Sequence, residues 1–331
     1  MKAVFMIASS FGLKALNEML ALGDIDVAGI ITTAEDFKVK QKNINKINNY
    51  HNPIFNEIKK ISSNLEIPLL IYNDKEDYAQ MIPMLQDWNP DVIMVVGWYH
   101  LVPGSILEIP YKGVWGLHAS RLPDYRGGAP LVWAIINGEL KTGISLFQLQ
   151  NGVDNGLLLG QREVDIRYGD TIREVYSNIE IQGLNLLREK IPRYLRGDII
   201  PYPQSMIDGY EYKPWPLRDQ QDGIISWNQN PLQIYNFVRA QTKPYPGAFS
   251  FIEGMKVIIW KCSIYPFVHE TSCPSGSIIK IVTEGPMKGF LVACQKGDCP
   301  VLIQDIQYNG RDYNALDFIE QLNIHVGDCF K

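Results

Sequence analysis

The chain has 331 residues with 46% hydrophobic content and a mean hydropathy of −0.10, ordinary for a globular protein, and its length predicts one large or two smaller domains. Its formal charge is −5, from 31 Lys plus Arg against 36 Asp plus Glu, which excludes a general electrostatic attraction for nucleic acid or anionic lipid. No stretch approaches the roughly 18 apolar residues of a spanning helix, and the opening MKAVFMIASS lacks a signal peptide's h-region, so no membrane partner and a cytoplasmic location are expected.

Lys2 to Ala8 reads as a buried strand, Phe11 to Leu22 as a helix and Asp26 to Thr32 as a second strand. The turn between the first two, Ser9 to Gly12, is not a G-x-G-x-x-G and gives no dinucleotide fingerprint. A helix N-terminus can still hold an anionic group, which makes Ser9, Phe11 and Gly12 candidate substrate contacts. Residues 33 to 53 are polar and Asn-rich, with Lys38, Lys40, Lys42 and Lys46 spread through them. That composition predicts a mobile insertion.

A helix from Pro53 to Asn64, a strand from Pro68 to Tyr72, a helix from Tyr78 to Trp88 and an apolar strand from Asp91 to Val96 continue the alternation. The pattern predicts an α/β fold with an open, Rossmann-like, mostly parallel sheet. Such sheets bind ligands outside the carboxyl ends of their strands. Val96, Gly97, Trp98 and Tyr99 stand at such an end, and His100 follows with a structural role as its ordinary reading.

Residues 113 to 160 are the most informative stretch. An apolar run reaches His118 and Ser120, and a Pro- and Gly-punctuated turn then carries Pro123, Arg126, Gly127, Gly128 and Pro130. A helix from Pro130 to Asn137, a strand from Thr142 to Gln148 and a loop from Asn151 to Gly156 follow. His118 and Asp154 therefore fall at two strand ends, where a histidine and a carboxylate can share proton transfer.

Thr171 to Tyr194 reads as a long helix ended by Gly197. The boundaries expected from composition are a first domain over 1–204, a linker over 205–224 and a second domain over 225–331. In the last, a helix at Pro231 to Ala240 precedes alternating segments at 249–252, 256–260, 276–282, 289–294 and 301–308, which predict a small, OB-like β-barrel. The cysteines, Cys262, Cys273, Cys294, Cys299 and Cys329, are odd in number and lack C-x-x-C spacing. They read as reduced structural thiols, with no metal assigned.

The order His-x-Ser, Leu-Pro-x-Tyr-Arg-Gly, Ala-Pro, Asn-Gly-Glu, Thr-Gly-Ile and Asp-x-Gly resembles the 10-formyltetrahydrofolate-dependent formyltransferases over nearly the whole chain. The resemblance implies transfer of a formyl group from 10-formyltetrahydrofolate to a primary amine, with His118, Asp154 and Ser120 as catalytic candidates. It implies a pterin held by main-chain groups of Val96 to Tyr99 on one side and by Asn151, Gly152, Val153 and Gly156 on the other. Arg126, Gly127 and Gly128 are candidate substrate contacts. One departure stands out: the family has an Asn two residues before its catalytic His, and this chain has Gly116.

The acceptor is read from regions outside the motif. Members acting on methionyl-tRNA carry a basic, Arg- and Gly-bearing insertion at the place of residues 33–53, and neither residue type occurs here. Residues 205–331 hold 11 Lys plus Arg against 13 Asp plus Glu, a poor balance for neutralising phosphates. The segments Tyr245 to Ser250 and Val257 to Trp260 look closer to amino-sugar formyltransferases. The expected acceptor is a nucleotide-linked amino sugar, with tRNA less favoured, a non-catalytic folate- or nucleotide-binding protein as the alternative of another class, and a homodimer open.

Overall fold

A computed structural model describes residues 1–23, 25–40, 47–73, 77–206, 212–268, 273–295 and 298–331. The chain divides into two units. The first comprises Met1–Arg126, Gly143–Val164 and Asn178–Pro214, and the second comprises Gly127–Thr142, Asp165–Ser177 and Trp215–Lys331. Residues 207–211 of the expected linker lie outside the described residues.

The elements of the first half run β1 (Lys2–Ile7), α1 (Ser10–Leu22), β2 (Asp26–Thr33), β3 (Asp36–Lys40), β4 (Ile47–His51), α2 (Phe55–Leu65), β5 (Leu69–Tyr72), α3 (Asp77–Trp88), β6 (Val92–Val96), α4 (Gly104–Leu107) and β7 (Val114–His118). After them come α5 (Pro130–Ile136), β8 (Lys141–Gln148), β9 (Leu158–Asp165) and α6 (Ile172–Arg196). Seven strands form one sheet in the order β5-β2-β1-β6-β7-β8-β9. The pairs from β5 to β7 are parallel, and β8 runs antiparallel to β7.

The sheet is mostly parallel and Rossmann-like, as the alternation predicts. β6 is buried at every position, which its unbroken run of Val, Ile and Met demands of a central strand. Ser9 caps α1 by accepting the Gly12 N–H, and Gly23 ends the helix in the left-handed region. Chain order reverses direction at β1, since β2 lies on one side and β6 on the other. The carboxyl ends of β1 and β6 therefore flank the switch point where open sheets place ligands.

Residues 33–53 depart from the expected mobile insertion. β3 and β4 pair antiparallel from Asp36 opposite His51 to Lys40 opposite Ile47. Phe37 stacks on Tyr50 at 5.6 Å between ring centroids, and both rings contact Tyr99. Aromatic packing thus outweighs the polar composition that suggests a loop. Residues 41–46, with Lys42 and Lys46, lie outside the described residues.

The second unit contains α7 (Pro231–Arg239), β10 (Ala248–Ile252), β11 (Met255–Ile264), β12 (Ile278–Val282), β13 (Gly289–Val292), β14 (Val301–Tyr308), β15 (Arg311–Asn314) and α8 (Ala315–Gln321). The antiparallel sheet runs β10-β11-β14-β13-β12, with β15 on β14. The chain's last residues bridge its two edges. Phe330 donates to the Gly276 carbonyl at 2.9 Å and Ile278 to Asp328 at 2.8 Å, while Lys331 donates to Phe251 of β10 at 2.8 Å. Phe330 is 2% exposed within the core built by Trp227, Ile234, Phe290 and Phe318.

Candidate functional site

The loop after β7 is held by buried hydroxyl and amide groups. Ser120 donates its N–H to the His118 carbonyl at 2.8 Å and its hydroxyl to the Asp124 carbonyl at 2.6 Å. Ser145 on β8, fully buried, donates to the Ser120 carbonyl at 2.6 Å and accepts the Leu122 N–H at 3.0 Å. Gln161 on β9 donates to the Leu122 carbonyl at 2.8 Å and to the Ser145 oxygen at 2.9 Å. The loop so pinned reaches Tyr125, whose φ of 53° turns its carbonyl toward the β7 end. There it accepts from Nε2 of His118 at 2.8 Å.

The other imidazole nitrogen, Nδ1, stands 3.5 Å from Oδ2 of Asp154. The side chains are 11% and 22% exposed respectively, so the pair is sheltered yet reachable. A carbonyl oxygen only accepts, which assigns the hydrogen to Nε2 and leaves Nδ1 bare in the neutral ring. A bare nitrogen facing a carboxylate gains nothing. A proton arriving at Nδ1 gives both ring nitrogens acceptors at once.

Asp154 has φ of 49° and Gly152 has φ of 120°, so the loop is held in backbone space that most residues avoid. Asn155 donates to the Asn151 carbonyl at 3.2 Å and tightens the turn. A Cβ built on Gly104, the first residue of α4, would lie 3.2 Å from Oδ1 of Asn151, so the start of α4 and the 151–156 loop are neighbours. Val153 is exposed.

The remaining candidates divide sharply. A Cβ on Gly97 (φ 61°) would stand 1.7 Å from Oγ of Ser9, so only glycine lets the β1 and β6 ends meet. Ser9 serves as the α1 cap, Phe11 is buried, and a Cβ on Gly12 would lie 2.5 Å from the Val96 carbonyl; all three hold the switch point together. Trp98 is half-buried and packs against Tyr72 and His100, at 5.5 and 5.6 Å between centroids, on the edge of the core. Tyr99 is exposed and leans on Phe37 and Tyr50.

Ser120 differs from its expected catalytic place: it is 1% exposed and its hydroxyl hydrogen is engaged by a carbonyl, so it shapes the turn. Gly127 and Gly128 belong to the second unit, where Gly128 donates to the Trp215 carbonyl at 2.8 Å and a Cβ on it would strike Leu217. Gly128 is thus a packing glycine, and Gly127 takes a φ of 95° that favours glycine. Arg126 is at the site: burial pushes its guanidinium down from its ordinary value and the Asp154 charge opposes that shift, while Nη2 donates to Gln204 at 2.6 Å. Ser145, Gln161 and Gln204 escape sequence reasoning, because an isolated Ser or Gln carries no spacing signal.

Gly116 faces the space beside His118, two residues along the same face of β7. A Cβ there would lie 2.7 Å from Cδ1 of Leu149, 3.2 Å from the Val95 carbonyl oxygen and 3.5 Å from the Phe147 ring. A side chain at this position would meet Leu149 first and would have to move it.

The formyl transferase profile matches residues 1–191, and the profile for the formyl transferase C-terminal domain matches residues 218–323. The chain belongs to the formyl transferase family. It is 32% identical to the methionyl-tRNA formyltransferase of Thermodesulfovibrio yellowstonii over 98% of this chain and 97% of that one. Against the methionyl-tRNA formyltransferase of Geobacter metallireducens it is 29% identical over 98% and 96%. Its fold matches WlaRD, a sugar 3N-formyl transferase solved with dTDP and 5-N-formyl-THF, with a TM-score of 0.60 and 17% identity over 92% of this chain and 97% of that one.

Formyl transferases of this family are enzymes that take their formyl group from 10-formyltetrahydrofolate, and this chain is one of them. The residues at the switch point fit such a donor. Gly97 and Gly152, at φ of 61° and 120°, carry no side chain to cover the peptide groups beside them, which suits main-chain recognition of a planar heterocycle. Among the described residues no His, Cys, Asp or Glu cluster has the arrangement of a metal site, and no helix is long and apolar enough to cross a membrane.

Proposed function

We propose that this formyl transferase formylates the amino group of methionyl-tRNA, with His118 and Asp154 managing the amine's proton. The observation that supports this acceptor is the full-length similarity to methionyl-tRNA formyltransferases, at 32% and 29% identity through both units. It shifts the expectation drawn from charge, which favours a nucleotide-linked amino sugar. The charge observation keeps the sugar as a second reading: residues 205–331 carry 11 Lys plus Arg against 13 Asp plus Glu, and residues 33–53 contain no Arg.

In this reading, 10-formyltetrahydrofolate supplies the formyl group when bound between the main chain of 96–99 and that of 151–156. The acceptor's ammonium must lose protons to become nucleophilic. Nδ1 of His118 receives one, because the Tyr125 carbonyl fixes the ring with Nδ1 open and the Asp154 carboxylate stabilises the imidazolium so formed. Arg126 contributes a sheltered positive charge beside the pair, suited to an anionic part of a substrate. Competition decides the acceptor. With 10-formyltetrahydrofolate saturating, charged initiator tRNA should give formylmethionyl-tRNA at catalytic rates, and a dTDP-linked amino sugar should not. The reverse result would establish the sugar reading.

A further inference from the structure

We propose that Gln204 is a positioning residue that holds Asp154 and Arg126 in fixed relation, an inference that rests on His118 and Asp154 being the reacting pair. Gln204 lies in the segment after α6, which composition marks only as the approach to a linker, yet its side chain is buried. Its amide oxygen accepts from Nε and Nη2 of Arg126 at 3.2 and 2.6 Å. Its amide nitrogen donates to the carbonyls of Asp154 and Gly156 at 2.9 and 2.8 Å.

Those four bonds use both amide hydrogens and both oxygen lone pairs. The reversed amide is excluded, because it would point oxygen at two carbonyls and NH₂ at a guanidinium. One neutral group therefore joins the site's cation to the loop bearing its carboxylate.

The bond to Asp154 falls on a strained point. A non-glycine residue at φ 49° sits in sparsely populated backbone space and persists there only where its surroundings over-determine it. Gln204 holds the carbonyl of that very residue and the carbonyl two positions on. Released, Asp154 relaxes toward ordinary φ and its carboxylate leaves Nδ1 of His118.

The residue type also matters. Glutamate here would neutralise Arg126 and place oxygen lone pairs against two carbonyls, whereas glutamine engages the guanidinium without cancelling its charge. Arg126 thus keeps its charge for Asp154 and for a substrate anion.

The test is a kinetic cycle on the full chain, with formyl transfer from 10-formyltetrahydrofolate to whichever acceptor the wild type uses. Gln204→Ala and Gln204→Glu are each expected to lower kcat on the order of 10-fold to 100-fold, the size of effect that misplacing a reacting group produces, with the KM for the folate donor within about threefold of wild type. In an Asp154→Asn background, Gln204→Ala should lower the residual kcat by less than about twofold, since the group it positions is already gone. Two results overturn the proposal: a folded Gln204 variant with wild-type kcat, or an equal kcat loss from Gln204→Ala with and without Asp154. If Gln204→Glu fails to fold, the alanine cycle alone decides. Failure of the underlying site reading looks different, because His118→Ala would then retain wild-type turnover.

Discussion

Nε2 of His118 donates to the main-chain carbonyl of Tyr125 at 2.8 Å. That one bond sets the tautomer, since it leaves Nδ1 as the only ring nitrogen able to accept. In the neutral ring, ¹⁵N NMR should show a protonated Nε2 and a bare Nδ1 for His118. The opposite assignment would remove the proposed proton route.

The volume around Gly116 makes a stability prediction. Restoring the family residue by Gly116→Asn forces Leu149 aside and crowds the Val95 carbonyl, so it should cost about 1–3 kcal/mol, as overpacking does. Urea unfolding measures this. Pairing Gly116→Asn with Leu149→Ala should recover part of the overpacking penalty, because the first obstruction is then absent.

Ser145 is fully buried and joins the Ser120 carbonyl, the Leu122 N–H and Gln161. Ser145→Ala leaves these buried groups unsatisfied and should destabilise by about 1–3 kcal/mol. Turnover should fall with it, because the Tyr125 carbonyl loses its fixed place. Comparing calorimetric stability with kcat checks both effects.

The buried thiols give a pH prediction. Burial pushes Cys294 up to about 12 and raises Cys262 further still, each with desolvation as the first cause. Above the ordinary thiol value of about 8.5, the unfolded chain sheds protons that the folded chain keeps. Stability is therefore full below about pH 8.5 and declines toward pH 12, at up to about 1.4 kcal/mol per unit for each thiol. Cys294→Ala should remove one such contribution, seen as a shallower fall in unfolding free energy between pH 9 and 10. Equal slopes for variant and wild type would contradict it.

Much of the fold is legible in the sequence because its central strands are unbroken apolar runs and its turns carry Gly and Pro. The misses have physical causes. β9 contains Arg162, Glu163 and Asp165, whose charges obscure its alternation, and β3 and β4 are stabilised by Phe37 and Tyr50 against Tyr99, a contact no local window shows. The tail that bridges β10 and β12 is also invisible locally, because its bonds join residues far apart in the chain.

At the site, His118 and Asp154 are brought together, and Arg126 stands beside them. Ser120, Gly127 and Gly128 share the same motif but work on the loop's shape, since a motif records residues that build a turn along with those that use it. Gln204 and Ser145 act through buried hydrogen bonds, and only the three-dimensional arrangement reveals them.

The most direct measurement is single-turnover release of tetrahydrofolate from 10-formyltetrahydrofolate on addition of charged initiator tRNA, for wild type, His118→Ala and Asp154→Asn. The wild type should release tetrahydrofolate in step with formylmethionyl-tRNA, and each variant should be slower by about 10²-fold or more, the usual worth of a positioned acid or base. Variants that match the wild-type rate would show that the reaction does not pass through this pair.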